Sequence, residues 1–199
     1  MYRYYIFHKP FGCVTARRDD RHPTVMDWFR DVDVPDLSPV GRLDRETEGL
    51  LLVTNDGMWN RRLTHPDFAK EKTYRFTVLG DLTEEKRTVL EAGVLLRGDT
   101  TPTAPARITV TGRSTLGETL PALHPEIREK TCHNPPDRPI TFGTITITEG
   151  KNRQIRRMMK TVRCLVLQLQ RTSMGPYTLD ETLAPGQWKE IFPEDGQKE

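Results

Sequence analysis

The chain has 199 residues, 35% hydrophobic and 29% charged, which suits one compact domain or two small subdomains and excludes wholesale disorder. Its net charge of +2 conceals an asymmetry: residues 180–199 carry six acids and two bases, leaving 28 bases against 22 acids in the body. No apolar run approaches the roughly 20 residues of a membrane helix, the amino terminus MYRYYIFHKPFG lacks an apolar signal stretch, and three cysteines without CxxC spacing suggest neither a disulfide framework nor a zinc ribbon.

These features lead us to expect a soluble, unexported, cytoplasmic protein with no membrane partner. In chain order, Thr24 is placed to cap a short helix in which Val25, Trp28 and Phe29 fall at i, i+3 and i+4. The apolar run Leu50–Val53 stops at Asn55-Asp56-Gly57, as a central strand entering a tight turn would. A helix is expected from Met58 to Thr64, ended by Pro66. Tyr74, Phe76 and Val78 alternate as a half-buried strand, and Thr83 caps a helix that runs to Gly93. Residues 112–139 mix Pro, Gly, Asn, His and Cys without periodicity and read as a long excursion, functional or mobile. Ile145 and Ile147 mark another strand; Leu165, Leu167 and Leu169 mark a third alternating segment. Strands and helices without regular alternation predict an α+β fold.

Two segments carry chemistry. In PVGRLDRETEGLLLVTNDG, residues 39–57, Asp44 stands between Arg42 and Arg45 just before the buried strand. A carboxylate on a short loop at a strand end is restrained yet accessible, as a nucleophile must be, and flanking cations favour its ionised form. On composition alone, a surface network of Arg42, Asp44, Arg45, Glu46 and Glu48 is favoured, because exposed ion pairs are common. The second segment, KNRQIRRMMKTVR at 151–163, holds six Lys or Arg and no acid, which points to a polyanion such as nucleic acid. Ile155, Met158, Met159 and Val162 define the buried stripe of a helix after Asn152. Arg153, Arg157 and Lys160 then point outward, suited to phosphates or simply solvated, while Arg156 lies on the flank, about 100° from Ile155. Tyr74 reads first as core packing with its hydroxyl at a rim, and Lys72 as an edge-strand lysine. His124, Cys132 and His133 match no zinc signature, so no metal is expected.

In order along nearly the whole chain, HKPFGCVT (8–15), GRLDRETEGLLLVTNDG (41–57), EKTYRFTVLG (71–80), EGKNRQIRRMMKTV (149–162) and LQRTSMGPYTLDETLAPGQWKEI (169–191) resemble the pseudouridine synthases of the ribosomal small-subunit synthase A family. HPEIREKT at 124–131 is most similar to the large-subunit synthase E branch. The resemblance implies a single α+β catalytic domain over 1–192, with mostly antiparallel mixed sheets in two halves flanking a basic cleft, no separate N-terminal RNA-binding module, and a polar, disordered tail at 193–199. It assigns catalytic roles to Asp44, Tyr74 and Arg156, with Arg156 pairing Asp44. Leu169, with Ile155 beside it, is packing at the active site; Lys9, Pro10 and Gly12 belong to a structural loop; Lys72 is the lysine of a KxY block.

The implied reaction, conversion of uridine to pseudouridine in ribosomal RNA and most closely large-subunit RNA, needs no redox change, group donor or cofactor. Asp44 either attacks the sugar or removes its neighbouring proton, and Tyr74 or a water beside it handles the proton of carbon five. Arg42, Lys72, Lys151, Arg153, Arg157 and Lys160 are the expected RNA contacts, and the partner is ribosomal RNA or a pre-ribosomal particle met by a monomer. Two departures from the family stand out: His8 replaces a usual asparagine, and Arg163-Cys164 replaces a glycine-containing turn. A noncatalytic rRNA-binding or assembly factor, a synthase for another structured RNA and a metal-dependent hydrolase are the competing readings; no convergent carboxylate and histidine set accompanies Asp44 to favour the last.

Overall fold

The computed structural model describes residues 1–194; residues 195–199, part of the tail expected from 193 onward, lie outside the described residues. The elements in chain order are β1 (Tyr4–Lys9), a 3-10 turn (Val25–Phe29), β2 (Ser38–Val40), β3 (Glu48–Thr54), α1 (Gly57–Thr64), a 3-10 turn (Pro66–Phe68), β4 (Lys72–Leu79), α2 (Glu84–Ala92), β5 (Arg107–Thr115), α3 (Leu116–Thr119), a 3-10 turn (Leu120–Ala122), α4 (Pro125–Thr131), β6 (Pro139–Ile147), α5 (Gln154–Thr161), β7 (Leu165–Met174), β8 (Tyr177–Thr178) and β9 (Trp188–Ile191). This is the α+β class expected. The chain divides into two compact units, one of residues 1–72 with 170 onward, the other of residues 73–169.

In the first unit the strand order is β7-β3-β1-β9, with β2 also on β3 and β8 on β7. β3 is central as predicted, and Leu50 to Val53 have no exposed surface. β1 runs antiparallel to it from Tyr4 opposite Thr54 to Lys9 opposite Gly49. Period-two geometry sends Tyr4 and Ile6 into one core with Val40, Leu50, Leu52, Trp59, Leu63 and Met174. The alternate residues face an aromatic cluster: the Tyr5 ring lies 5.6 Å from Phe29 and 5.2 Å from Trp188, and Phe7 lies 5.5 Å from Phe29. With both faces covered, the sequence of β1 is apolar throughout and shows no alternation. Gly49, at φ +98°, is required where β3 meets β7 in parallel, because a Cβ there would sit 2.3 Å from the Arg171 carbonyl oxygen. The Asn55-Asp56-Gly57 stop is a helix start and no hairpin: the buried Asp56 carboxylate accepts the amides of Met58 at 3.0 Å and Trp59 at 2.9 Å, plus the Tyr4 hydroxyl at 2.9 Å.

In the second unit the order is β5-β6-β4-β7. Thr83 caps α2 and Gly93 ends it, as read from the sequence. β4 has neighbours on both sides, so Lys72 is not on an edge strand. The expected excursion at 112–139 is folded. β5 continues to Thr115 opposite Pro139, past an irregularity between Val110 and Gly112. Thr115 and Glu118 then close a capping box on α3, and Pro125 starts α4. Elements of four and seven residues are too short to show a helical period, which is why the segment looks irregular in sequence. In β7, Leu167 and Leu169 are buried, but Leu165 is 54% exposed where alternation predicted a buried face.

Candidate active site

Asp44 sits in the first unit, in the connection from β2 to β3. Its carbonyl accepts the Thr47 amide at 3.0 Å, closing a turn around Arg45 and Glu46. Three residues from the HKPFGCVT segment hold that turn through its backbone. The Thr15 hydroxyl donates to the Leu43 carbonyl at 2.8 Å and accepts the Leu43 amide at 3.1 Å. The Gly12 amide donates to the Arg45 carbonyl at 2.9 Å. Lys9, with no exposed surface, donates to the carbonyls of Thr47 at 2.8 Å, Pro10 at 3.0 Å and Arg45 at 3.4 Å. Burial pushes the Lys9 ammonium below its ordinary range, partly offset by Cys13, Glu48 and Asp44. Buried Leu43 anchors the turn from one side and the half-buried Asp44 carboxylate is left as its functional product.

This is a different object from the surface ion network that composition favours. Arg45 lies over the Phe11 ring, 5.7 Å from its centroid, and Arg42 is exposed. The loop at His8 is self-consistent despite its departure from the family pattern. Nδ1 lies 2.7 Å from the Leu183 carbonyl, so it carries the proton, and Nε2 accepts from the Gln170 amide nitrogen at 3.3 Å. Lys72, also in this unit, is half-buried and donates to the Lys70 carbonyl at 3.0 Å. Its pKa is lowered, first by burial and then by the Arg171 guanidinium.

In the second unit, Tyr74 is buried at 8% exposure on the same strand as Phe76 and Val78, so its ring is fixed by packing. The arginine-rich helix is α5, and its stripe of Ile155, Met158, Met159 and Val162 is buried as predicted. The cap is displaced by one residue: Arg153, at φ +48°, occupies the N-cap in place of Asn152. Gln154 does the work of a cap from inside the helix. Its Oε1 accepts the Lys151 amide at 2.9 Å and its Nε2 donates to Glu149 at 2.6 Å. Sequence reading missed this pair, whose signal is a glutamine following a Gly-Lys-Asn turn.

Arg156 is half-buried and turned toward β7, donating to the Val166 carbonyl at 3.2 Å, which fits its flank position on the wheel. Arg153 and Lys160 are exposed. Arg157 corrects the outward expectation: its Nη2 bonds to Asp99 at 2.6 Å and to the Arg97 carbonyl at 2.7 Å. Lys151 pairs with the same Asp99 at 3.1 Å, and both cations hold that carboxyl below the usual carboxylate range, Arg157 foremost. Leu169 is buried at 4%. After α5 the chain ends its helix with Arg163 at φ +60°. The Cys164 amide reaches the Met159 carbonyl at 2.9 Å and the Arg163 amide that of Lys160 at 3.1 Å, a Schellman closure that normally takes glycine. The imidazole of His124 accepts the Glu126 amide at 3.3 Å as the cap of α4, and the described residues contain no group of three or more His, Cys, Asp or Glu that could hold a metal.

Residues 3–161 match the family described as RNA pseudouridylate synthase. The ribosomal small subunit pseudouridine synthase A of Pseudomonas aeruginosa is 35% identical over 193 residues, covering 97% of this chain and 72% of that protein. The ribosomal large subunit pseudouridine synthase E of Vibrio parahaemolyticus is 38% identical over 192 residues, covering 94% of this chain and 72% of that protein. A crystal structure of a pseudouridylate synthase superposes with a TM-score of 0.78 at 30% identity, over 96% of this chain and 71% of that one.

Proposed function

The chain belongs to the RNA pseudouridylate synthase family, and from that premise we propose that it isomerises uridine to pseudouridine in ribosomal RNA, with a uridine of the large-subunit RNA as its target. The observation that carries this reading is the match over residues 3–161, which contains Asp44, Tyr74 and Arg156. The large-subunit target is supported by the synthase E relative and by the HPEIREKT segment.

The reaction breaks the bond between the ribose and uracil N1, turns the base, and joins the ribose to C5; the proton leaving C5 is balanced by one gained at N1. No electron or group is supplied from outside. Asp44 provides the anion at the sugar, either by attack or by removing the neighbouring proton. The clamp of Lys9, Gly12 and Thr15 on its turn supports this role, because a nucleophile acts fastest when its position is fixed before the substrate arrives. Tyr74 is the candidate for stacking on the flipped base and for handling the C5 proton. Arg156 keeps the catalytic anion ionised by charge attraction. Arg42, Lys72, Arg153 and Lys160 contact phosphates, and Leu169 and Ile155 supply apolar packing at the base. We place this chemistry in the cytoplasm and assign it to a monomer, a reading supported by three unpaired cysteines and by a reaction that needs no second subunit.

The test is pseudouridine formation by the purified chain on ribosomal RNA transcripts, with chelator present, followed by mapping of the modified site. Product at one large-subunit uridine is expected. RNA binding without product would establish the noncatalytic factor, product only in small-subunit RNA would move the target, and chelator-sensitive strand cleavage would establish a hydrolase.

A further inference from the structure

The loop between α2 and β5 is pinched at its base and bonded at its tip to the basic segment. At the base, Val94 and Thr103 exchange hydrogen bonds: the Thr103 amide donates to the Val94 carbonyl at 2.9 Å, and the Val94 amide to the Thr103 hydroxyl at 3.0 Å. Leu96 is buried and anchors one arm. Arg97, Gly98 and Thr100 to Pro102 are exposed, and Gly98 has φ +88° with open space where a side chain would be. At the tip only Asp99 turns inward. One of its oxygens takes Arg157 Nη2 at 2.6 Å and the other takes Lys151 Nζ at 3.1 Å. Carbonyls of the same loop complete the cage, with Thr101 O 3.2 Å from Lys151 Nζ and Arg97 O 2.7 Å from Arg157 Nη2.

A carboxylate that receives a guanidinium on one oxygen and an ammonium on the other is held as a phosphodiester would be, since both offer two anionic oxygens on one centre. Yet these two cations come from the acid-free stretch 151–163, the densest positive segment of the chain. We propose that Lys151 and Arg157 form a phosphate site for RNA that Asp99 fills in the free protein, and that one backbone phosphate displaces the Asp99 carboxylate when RNA binds. Only the identity of the polyanion rests on the RNA-modifying reading above. Asp99 is then an internal competitor. It lowers affinity for every phosphate chain by the same amount, so weakly held RNA is released and the protein stays available for sites that make further contacts. The pinched base lets the tip move while α2 and β5 keep their positions.

Salt-titrated binding of poly(U) to the full-length protein tests this, because the readout does not require isomerisation. Asp99→Asn should bind several-fold more tightly at about 0.1 M salt and steepen the log-log salt dependence by about 0.7 for each phosphate newly engaged. Asp99→Glu, which keeps the charge, should follow wild type. Adding Lys151→Gln and Arg157→Gln to Asp99→Asn should return the slope to the wild-type value or below. Thermal unfolding of each variant is followed in parallel. Unchanged or weaker binding by Asp99→Asn would overturn the proposal and make Asp99 a structural clamp on α5, as would a steep slope that survives loss of both cations. A wild-type protein that forms no pseudouridine, with Asp99→Asn still binding more steeply, would reject the proposed function and leave this site standing.

Discussion

Buried Lys9 donates to the carbonyl of Thr47 at 2.8 Å, and Thr47 in turn donates its amide to the carbonyl of Asp44 at 3.0 Å. The first strand therefore fixes the turn of the candidate nucleophile through backbone atoms alone, leaving the carboxylate itself uncommitted by the clamp. A buried ammonium is costly unless its protons are taken up, and here three carbonyls accept them.

Lys9→Met should lower stability by about 2–4 kcal/mol, since it strands those carbonyls in the interior, and should reduce turnover by loosening the Asp44 turn. A pH signature separates the charge from the packing. Burial holds Lys9 below its ordinary value of 10.5, so between the folded-state value and 10.5 the unfolded chain binds more protons than the folded one. Stability contributed at this position rises with pH over that window and is flat below it. Denaturant titrations from neutral pH to about 10 should show the difference between wild type and Lys9→Met widening; a constant or shrinking difference would contradict the assignment.

Arg163→Gly should stabilise the protein. Arg163 closes α5 at φ +60°, where a side chain costs roughly 1–2 kcal/mol and glycine's greater freedom in the unfolded chain returns part of that. A net gain of about 0.5–1 kcal/mol is expected by thermal or denaturant unfolding. A loss would mean that the arginine side chain makes contacts worth more than the strain.

The outcome at Arg163 bears on how much could be read from the chain. A glycine-for-arginine departure predicts an altered helix end, and the structure keeps the end and accepts the strain. The long elements were legible because their periods are long: the stripe of α5, the apolar β3, and α2 between Thr83 and Gly93. β1 was not legible because burial on both faces removes alternation, and α3 and α4 were not because they are too short. At the site, Asp44 in sequence looks like one member of a charged cluster. What makes it special is a set of bonds from Lys9, Gly12 and Thr15, residues distant in the chain whose role local pattern cannot show. Likewise the loss of Arg157 and Lys151 to Asp99 depends on a partner 58 residues from Arg157.

Tyr74→Phe keeps a ring able to stack and removes the hydroxyl, whereas Tyr74→Leu removes both. If the hydroxyl handles the C5 proton, single-turnover rates for Phe fall severely, by about 10²-fold or more, with RNA affinity near wild type. Equal rates for Phe and wild type, with Leu impaired, would confine Tyr74 to stacking.

Arg153 and Arg156 should separate cleanly. Arg153→Ala removes an exposed cation and should lessen the salt dependence of RNA binding by up to about one phosphate, with saturated turnover nearly normal. Arg156, half-buried and turned toward the Val166 carbonyl, should behave oppositely: Arg156→Ala lowers turnover at saturating RNA and changes the salt slope little. An Arg156→Ala protein that only binds more weakly would remove Arg156 from the chemistry.

The most direct test of the account is the single-turnover rate of Asp44→Asn on its ribosomal RNA substrate, with mass spectrometry confirming that the asparagine has not deamidated. The backbone clamp on the turn and the cationic surface are both unchanged in this variant, so the fold and most of the RNA affinity should persist while pseudouridine formation falls below detection. Turnover within about tenfold of wild type would contradict the assignment of Asp44 as the catalytic anion.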